Sequence, residues 1–237
     1  MIYKDFKDYA IKHMGISSLD FHYWEQTQNR LYGSSASLTP YILEEREMRV
    51  TQMDIFSRMM MDRIIWLAGP VNDMMSTVVQ AQLMFLDNLE NNKDITIHVD
   101  TPGGSVKSGL SMVDVMDYVS SDIVTINTGM AASMGSILLG AGTKGKRYTL
   151  RFSKVMLHQV SSWAEGNIQD IRISLQESEK YNELLFGLLG KYTNKDPKQV
   201  LDDAKRDLWL TADEALAYGI VDGIIHNKDK AAIKSKK

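Results

Sequence analysis

The chain has 237 residues, of which 44% are hydrophobic and 24% charged, a balance that supports a substantial buried core in one large domain. Its formal net charge of −3 gives no basic footprint for nucleic acid. No run approaches the roughly 18 consecutive apolar residues of a spanning helix, and Met1-Ile2-Tyr3-Lys4-Asp5 lacks the basic and apolar regions of a secretory signal. Without cysteine the chain has neither disulfides nor thiolate metal ligands, a composition compatible with a reducing cytoplasm, which is the expected compartment.

Residues 1–37 read as an appendage, with Phe6, Tyr9, Phe21, Tyr23 and Trp24 scattered among polar residues ahead of Gly33-Ser34-Ser35-Ala36-Ser37. Its aromatics set it apart from ordinary disorder, so it is expected either to dock as a tail or to be removed. From Asp54 the texture alternates between strand and helix. Ile64-Ile65-Trp66-Leu67 ends at Gly69-Pro70, and Met74 to Leu89 has helical apolar spacing. Ile95, Ile97 and Val99 alternate with polar residues in a strand that runs into Asp100-Thr101-Pro102-Gly103-Gly104-Ser105, followed by a helix to about Tyr118. A strand over 123–126, a helix starting near Ser133, a basic turn at Thr143-Lys144-Gly145-Lys146 and a strand Val155-Met156-Leu157-His158 come next. A long helix is expected over Ile168 to Gly190, with Ile168, Ile171 and Leu175 on one face. Asp196-Pro197 opens another helix as N-cap and N1, and Thr211 with Glu214 forms a capping box closed by Gly219. The alternation predicts a mostly parallel α/β core, and Lys228 to Lys237 reads as a solvated basic tail.

Ser133 carries the sharpest chemical signal. In Gly129-Met130-Ala131-Ala132-Ser133-Met134-Gly135, small residues two before and two after the serine suit a tight strand-to-helix turn that exposes a hydroxyl. On such a turn the Met134 N–H is placed to face an oxyanion, with the start of the helix adding positive potential. The plainer alternative is a small-residue helix start packed against a neighbour. Of the five histidines, His13 and His22 lie in the appendage, His226 in the C-terminal region and His98 on the polar side of an alternating strand, which leaves His158 at the end of an apolar strand. There it is a candidate base, or simply a structural hydrogen-bonding group. Pro102-Gly103-Gly104 can bring N–H groups to close range or be only a turn. With 30 acidic residues, spacing does not choose a carboxylate to orient the base.

Thr101-Pro102-Gly103-Gly104-Ser105, the Ser133 segment and Gly142-Thr143-Lys144-Gly145-Lys146-Arg147 together resemble the proteolytic subunit of the Clp protease family. Asp54-Ile55-Phe56-Ser57-Arg58, Met156-Leu157-His158-Gln159, and Arg206-Asp207 ahead of Ala215 and Tyr218-Gly219 extend the likeness from about Ser37 to Ile225. The resemblance implies a crotonase-like α/β spiral of βα units with a handle strand and long helix between Gln159 and Tyr192 for ring–ring contact. It implies Ser133 as nucleophile, His158 as base, Asp207 as orienting carboxylate, and the N–H groups of Gly104 and Met134 as oxyanion donors. It further implies two stacked seven-membered rings, unfolded polypeptide substrates and a separate AAA+ unfoldase docked in an apolar groove of Tyr118, Ile126, Tyr148, Leu150 and Ile225. No cofactor, metal, nucleic acid or membrane is expected, and Gly103-Gly104-Ser105 lacks the Gly-Lys-Ser/Thr ending of a P-loop.

The sequence departs from the family pattern in places. Asp100-Thr101 replaces the usual Asn-Ser, Val160 replaces a common proline after His158-Gln159, and Thr96 and His98 stand where aromatics often line the groove. The resemblance divides the chain into an extension over 1–37, removable as a propeptide, a catalytic domain over 38–228, and a basic tail over 229–237. Two rival readings remain at this level: an acyl-CoA hydratase or isomerase that shares the two-amide oxyanion hole, and an inactive ring subunit.

Overall fold

A computed structural model describes residues 41–46, 49–161 and 165–226. The chain divides into two compact units, residues 1–57 and 58–237. In the first, β1 (Tyr41–Arg46) and β2 (Arg49–Asp54) pair antiparallel, with Tyr41 opposite Asp54 and Arg46 opposite Arg49. The family resemblance implies a loop over Leu38 to Val50, whereas the described residues 41–46 and 49–50 within it are strand. The strands escape a sequence reading because Glu47-Met48 between them carries none of the glycine or asparagine that marks a tight hairpin. The appendage and the basic tail lie outside the described residues. At Asp54 the carboxylate accepts the N–H groups of Phe56 and Ser57, opening α1 (Ile55–Met61).

The second unit is built on a seven-stranded sheet. β3 (Ile64–Ala68), β4 (Ile95–Thr101), β5 (Ile123–Ala132), β6 (Arg147–Leu150) and β9 (Gly223–Ile225) run parallel in that order. β7 (Lys154–Leu157) pairs parallel with β5, and β8 (Leu208–Leu210) pairs antiparallel with β7. The sheet divides along β5: Thr125 to Asn127 pair with β6, whereas Met130 to Ala132 pair with β7. Asn127 holds the fork. It is fully buried, and its side-chain amide donates to the Lys154 carbonyl while Ser153 Oγ donates to the Asn127 carbonyl. At this fork one long strand serves two directions of sheet.

The helices differ in how much of their surface they bury. In α2 (Asp73–Leu89), capped by Asn72 on the Met75 N–H, Val79, Leu83 and Leu86 recur at helical spacing and enter the core. α3 (Val106–Tyr118) buries Met112, Val113 and Met116, and α4 (Met134–Gly140) is buried along its whole length. α5 (Ile168–Thr193) buries only its C-terminal part, Leu185, Phe186 and Leu189, and ends at Asn194 in the left-handed region. α6 (Pro197–Asp203) and α7 (Ala212–Tyr218) follow, the latter with the expected capping box and Gly219 at φ +90°. The handle strand expected after His158 falls partly on residues 162–164, outside the described residues, and its flanks 159–161 and 165–167 form no strand. No described helix is long and apolar enough to cross a membrane.

Candidate active site

β5 extends six residues past the predicted strand and delivers Ser133 directly from its end into α4. Ser133 has φ +54° and ψ −122°, a conformation that costs a residue with a side chain about 1–3 kcal/mol and persists only where its surroundings impose it. Three contacts impose it here. The Ser133 N–H donates to the Met156 carbonyl on β7 at 2.9 Å, and the Ser133 carbonyl accepts both the Ser136 N–H at 2.9 Å and Ser136 Oγ at 2.7 Å. Although Ser133 sits at the N-cap of α4, its hydroxyl makes no cap. It lies instead 2.8 Å from His158 Nε2.

Strand register brings the third residue. His158 directly follows β7 and Asp207 directly precedes β8, and these strands pair antiparallel with Leu157 opposite Leu208. One step beyond that pair, His158 meets Asp207, with Nδ1 and Oδ1 3.5 Å apart, wider than a good hydrogen bond. Asp207 is 62% exposed and His158 28%, so the carboxylate is approached from solvent while the imidazole is sheltered.

The glycine turn after β4 lies flat against the same elbow. A Cβ on Gly103 would stand 2.6 Å from Ser133 Cβ and 2.9 Å from the Met134 nitrogen, and Gly103 has φ +91°. The turn is pinned from the other side, where the Val71 N–H donates to the Gly103 carbonyl and the Ser105 N–H to the Val71 carbonyl. Among the described residues, neither the Gly104 nor the Met134 N–H makes a backbone hydrogen bond. Gly109 on α3 leaves room for the buried Met134 side chain. A cleft of about 50 Å³ opens beside Ser133 and His158, walled by Gly104, Val106, Ile137, Leu185, Phe186 and Leu189 among others.

The structure therefore gathers Ser133, His158, Asp207, Gly104 and Met134 in one place. Of the expected groove residues, Ile126, Tyr148, Leu150 and Ile225 share one region of the sheet, with Ile126 beside Tyr148 and Leu150 beside Ile225. Leu150 and Ile225 line a depression with Thr128, Gly129 and Phe152. Ile126 is only 3% exposed and does not line that depression, and Tyr118, in the last turn of α3, is 77% exposed. Trp66 and His98 extend the same register row, their rings stacked at 4.7 Å and 9°. Burial pushes His98 below its ordinary pKa, and among the described residues its Nδ1 has no hydrogen-bond partner. Ser136, one helical turn after Ser133, escaped the sequence reading although its spacing places it over the elbow.

A serine, a histidine and a carboxylate in this order of contact form the constellation of the serine hydrolase class. Residues 45–228 match the sequence profile of the Clp protease family. The chain is 43% identical over 224 residues to a protein of Bacteroides fragilis strain YCH46 named ATP-dependent Clp protease proteolytic subunit, covering 94% of this chain and 99% of that one. A Porphyromonas gingivalis protein of the same name is 42% identical over 226 residues, covering 95% and 99%. The chain belongs to the Clp protease family and is a serine-type peptidase. The hydratase reading falls with that match.

Proposed function

We propose that this chain is the proteolytic subunit of an ATP-dependent Clp protease and cleaves peptide bonds through Ser133, His158 and Asp207. The observation that carries the reading is the 2.8 Å contact between Ser133 Oγ and His158 Nε2 on an elbow with φ +54°. With its proton on Nδ1, towards Asp207, the imidazole accepts the Ser133 proton as Oγ attacks the scissile carbonyl. The oxyanion faces the Gly104 and Met134 N–H groups. Collapse of the tetrahedral intermediate breaks the C–N bond, and the leaving amine takes the proton from His158. Water, deprotonated by the same imidazole, then hydrolyses the acyl-enzyme and returns the proton to Ser133. The apolar walls Val106, Ile137, Leu185 and Leu189 favour an apolar side chain beside the cleaved bond.

Two stacked heptameric rings in the cytoplasm, fed with unfolded polypeptide by an AAA+ Clp unfoldase, complete the proposal. In it the groove of Tyr118, Ile126, Tyr148, Leu150 and Ile225 receives the unfoldase. A serine-directed phosphonate tests the chemistry. It is expected to add a single adduct that peptide mapping places on Ser133, and an adduct elsewhere, or none on protein that cleaves peptides, overturns the assignment.

A further inference from the structure

Beyond β7 the chain loses its strand partners just where the imidazole must be held. Among the described residues, one hydrogen bond is made by residues 159–161: the Val160 N–H donates to Asn182 Oδ1 on α5 at 3.1 Å. Val160 lies two residues after His158. Gln159, Val160 and Ser161 form one side of the catalytic cleft, and Leu185 and Phe186, one helical turn after Asn182, form another. Asn182 thus ties the segment that leaves His158 to the helix it faces across the cleft. A proline here would fix φ near −65° through its ring and offer no N–H, whereas valine has both the torsional freedom and a donor. A partly buried N–H left unpaired is destabilising, and here a side chain aimed at it satisfies it.

We propose that Asn182 is a positioning residue for His158, holding the Val160 N–H and thereby doing for a valine what the ring does for a proline. The inference rests on His158 being the base for Ser133. Asn182 touches no reacting atom. It acts by limiting the excursions of Gln159 to Ser161, and so of the imidazole against Ser133 Oγ, where a displacement of about 1 Å costs on the order of 10²-fold in rate. Because α5 is one continuous helix of 26 residues with Ile168, Ile171 and Leu175 exposed at its other end, the same bond couples the seating of that helix to the catalytic geometry.

A double-mutant cycle on the full-length protein tests this, with kcat and KM measured separately on a short fluorogenic peptide that needs no unfoldase. Asn182→Ala in the valine background is expected to lower kcat roughly tenfold or more, with KM nearly unchanged, as for loss of transition-state positioning. Asn182→Asp keeps an acceptor oxygen and is expected to recover most of the loss. In the Val160→Pro background, which has no N–H to hold, Asn182→Ala is expected to change kcat less than about twofold relative to Val160→Pro alone. Equal losses in both backgrounds, or no loss beside valine, overturn the proposal. If Asn182→Ala fails to assemble beside valine, assembly and activity of the Val160→Pro/Asn182→Ala protein support it, and failure of both proteins overturns it. Phosphonate labelling of the parent separates the two levels: a parent unlabelled at Ser133 removes the catalytic reading itself, whereas a labelled parent with an additive cycle removes only the role of Asn182.

Discussion

Ser133 is held at a positive φ by neighbours on both sides, and its hydroxyl is directed to His158 rather than to the helix it begins. A nucleophile and base arranged as one unit lose most of their effect when either is removed. Ser133→Ala and His158→Ala are each expected to lower kcat on the order of 10⁶-fold, while Asp207→Asn, which leaves a less well oriented base, costs less. Peptide hydrolysis by Ser133→Ala within tenfold of the parent would refute the mechanism. His98 supplies a different kind of prediction. Burial against Trp66 depresses its folded pKa below the unfolded value near 6.5, so the neutral form is the one that folding favours. Its contribution to stability is therefore complete above about pH 6.5 and is lost as pH falls through the depressed folded value. His98→Phe keeps a ring on Trp66 without a titrating group, so between pH 7.5 and 5.5 its thermal midpoint is expected to fall less than that of the parent. An equal fall in both proteins would show that folding does not depress the pKa of His98.

Elements divide into those that local chemistry announces and those that need a partner to exist. α2, α6 and α7 were legible because apolar spacing and caps are local, as with the spacing of Met74 to Leu89, the cap Asp196-Pro197, and Thr211 with Glu214. β5 was legible only as far as Ile126. Its second half, Asn127 to Ala132, has little β character and becomes a strand because β4 and β7 pair with it. Short β6, β8 and β9 left no periodic signal at all. Asp207 was obscure for the same reason, since its role arises from the antiparallel pairing of β7 with β8, and no spacing in the chain encodes that register. The edge strand β9 illustrates how such an element is secured. Arg147, 3% exposed, reaches Asp222 through Nε at 2.8 Å and Nη2 at 2.6 Å, and donates from Nη1 to the Tyr192 carbonyl at 2.9 Å. Burial alone would raise the Asp222 pKa, but the hydrogen bonds and charge of Arg147 outweigh it and hold the carboxyl below its ordinary value. Arg147→Leu strands that carboxylate and is expected to cost about 3–5 kcal/mol, read as a lower urea midpoint with an unchanged slope. A loss under about 1 kcal/mol would mean that β9 is held by its ladder alone.

A single subunit leaves two apolar stripes in water. Met74, Val78, Phe85 and Leu89 are 46–69% exposed along the outer face of α2, and Ile168, Ile171 and Leu175 are 38–68% exposed on α5. Stripes of this kind on separate helices mark contact surfaces, and two of them suit a subunit with neighbours within a ring and across rings. Light scattering is expected to give a mass far above the 26.8 kDa of one chain, and active protein that scatters only as monomer would remove the ring proposal. The ring proposal also bears on the N-terminal extension. The family profile begins at residue 45, and Ser34-Ser35-Ala36-Ser37 ahead of it offers small side chains that a broadly specific peptidase accepts. Residues 1 to about 36 are accordingly proposed to be a propeptide that the enzyme removes, the retained alternative being a docking tail built on the aromatics Phe6, Tyr9, Phe21, Tyr23 and Trp24. Self-removal requires Ser133, so the Ser133→Ala protein is expected to keep its full length while the parent loses the extension. Intact mass spectrometry of both proteins decides between the readings: a full-length N-terminus on fully active parent would make the aromatic segment a permanent part of the assembly, and a shortened Ser133→Ala protein would assign the cut to another peptidase.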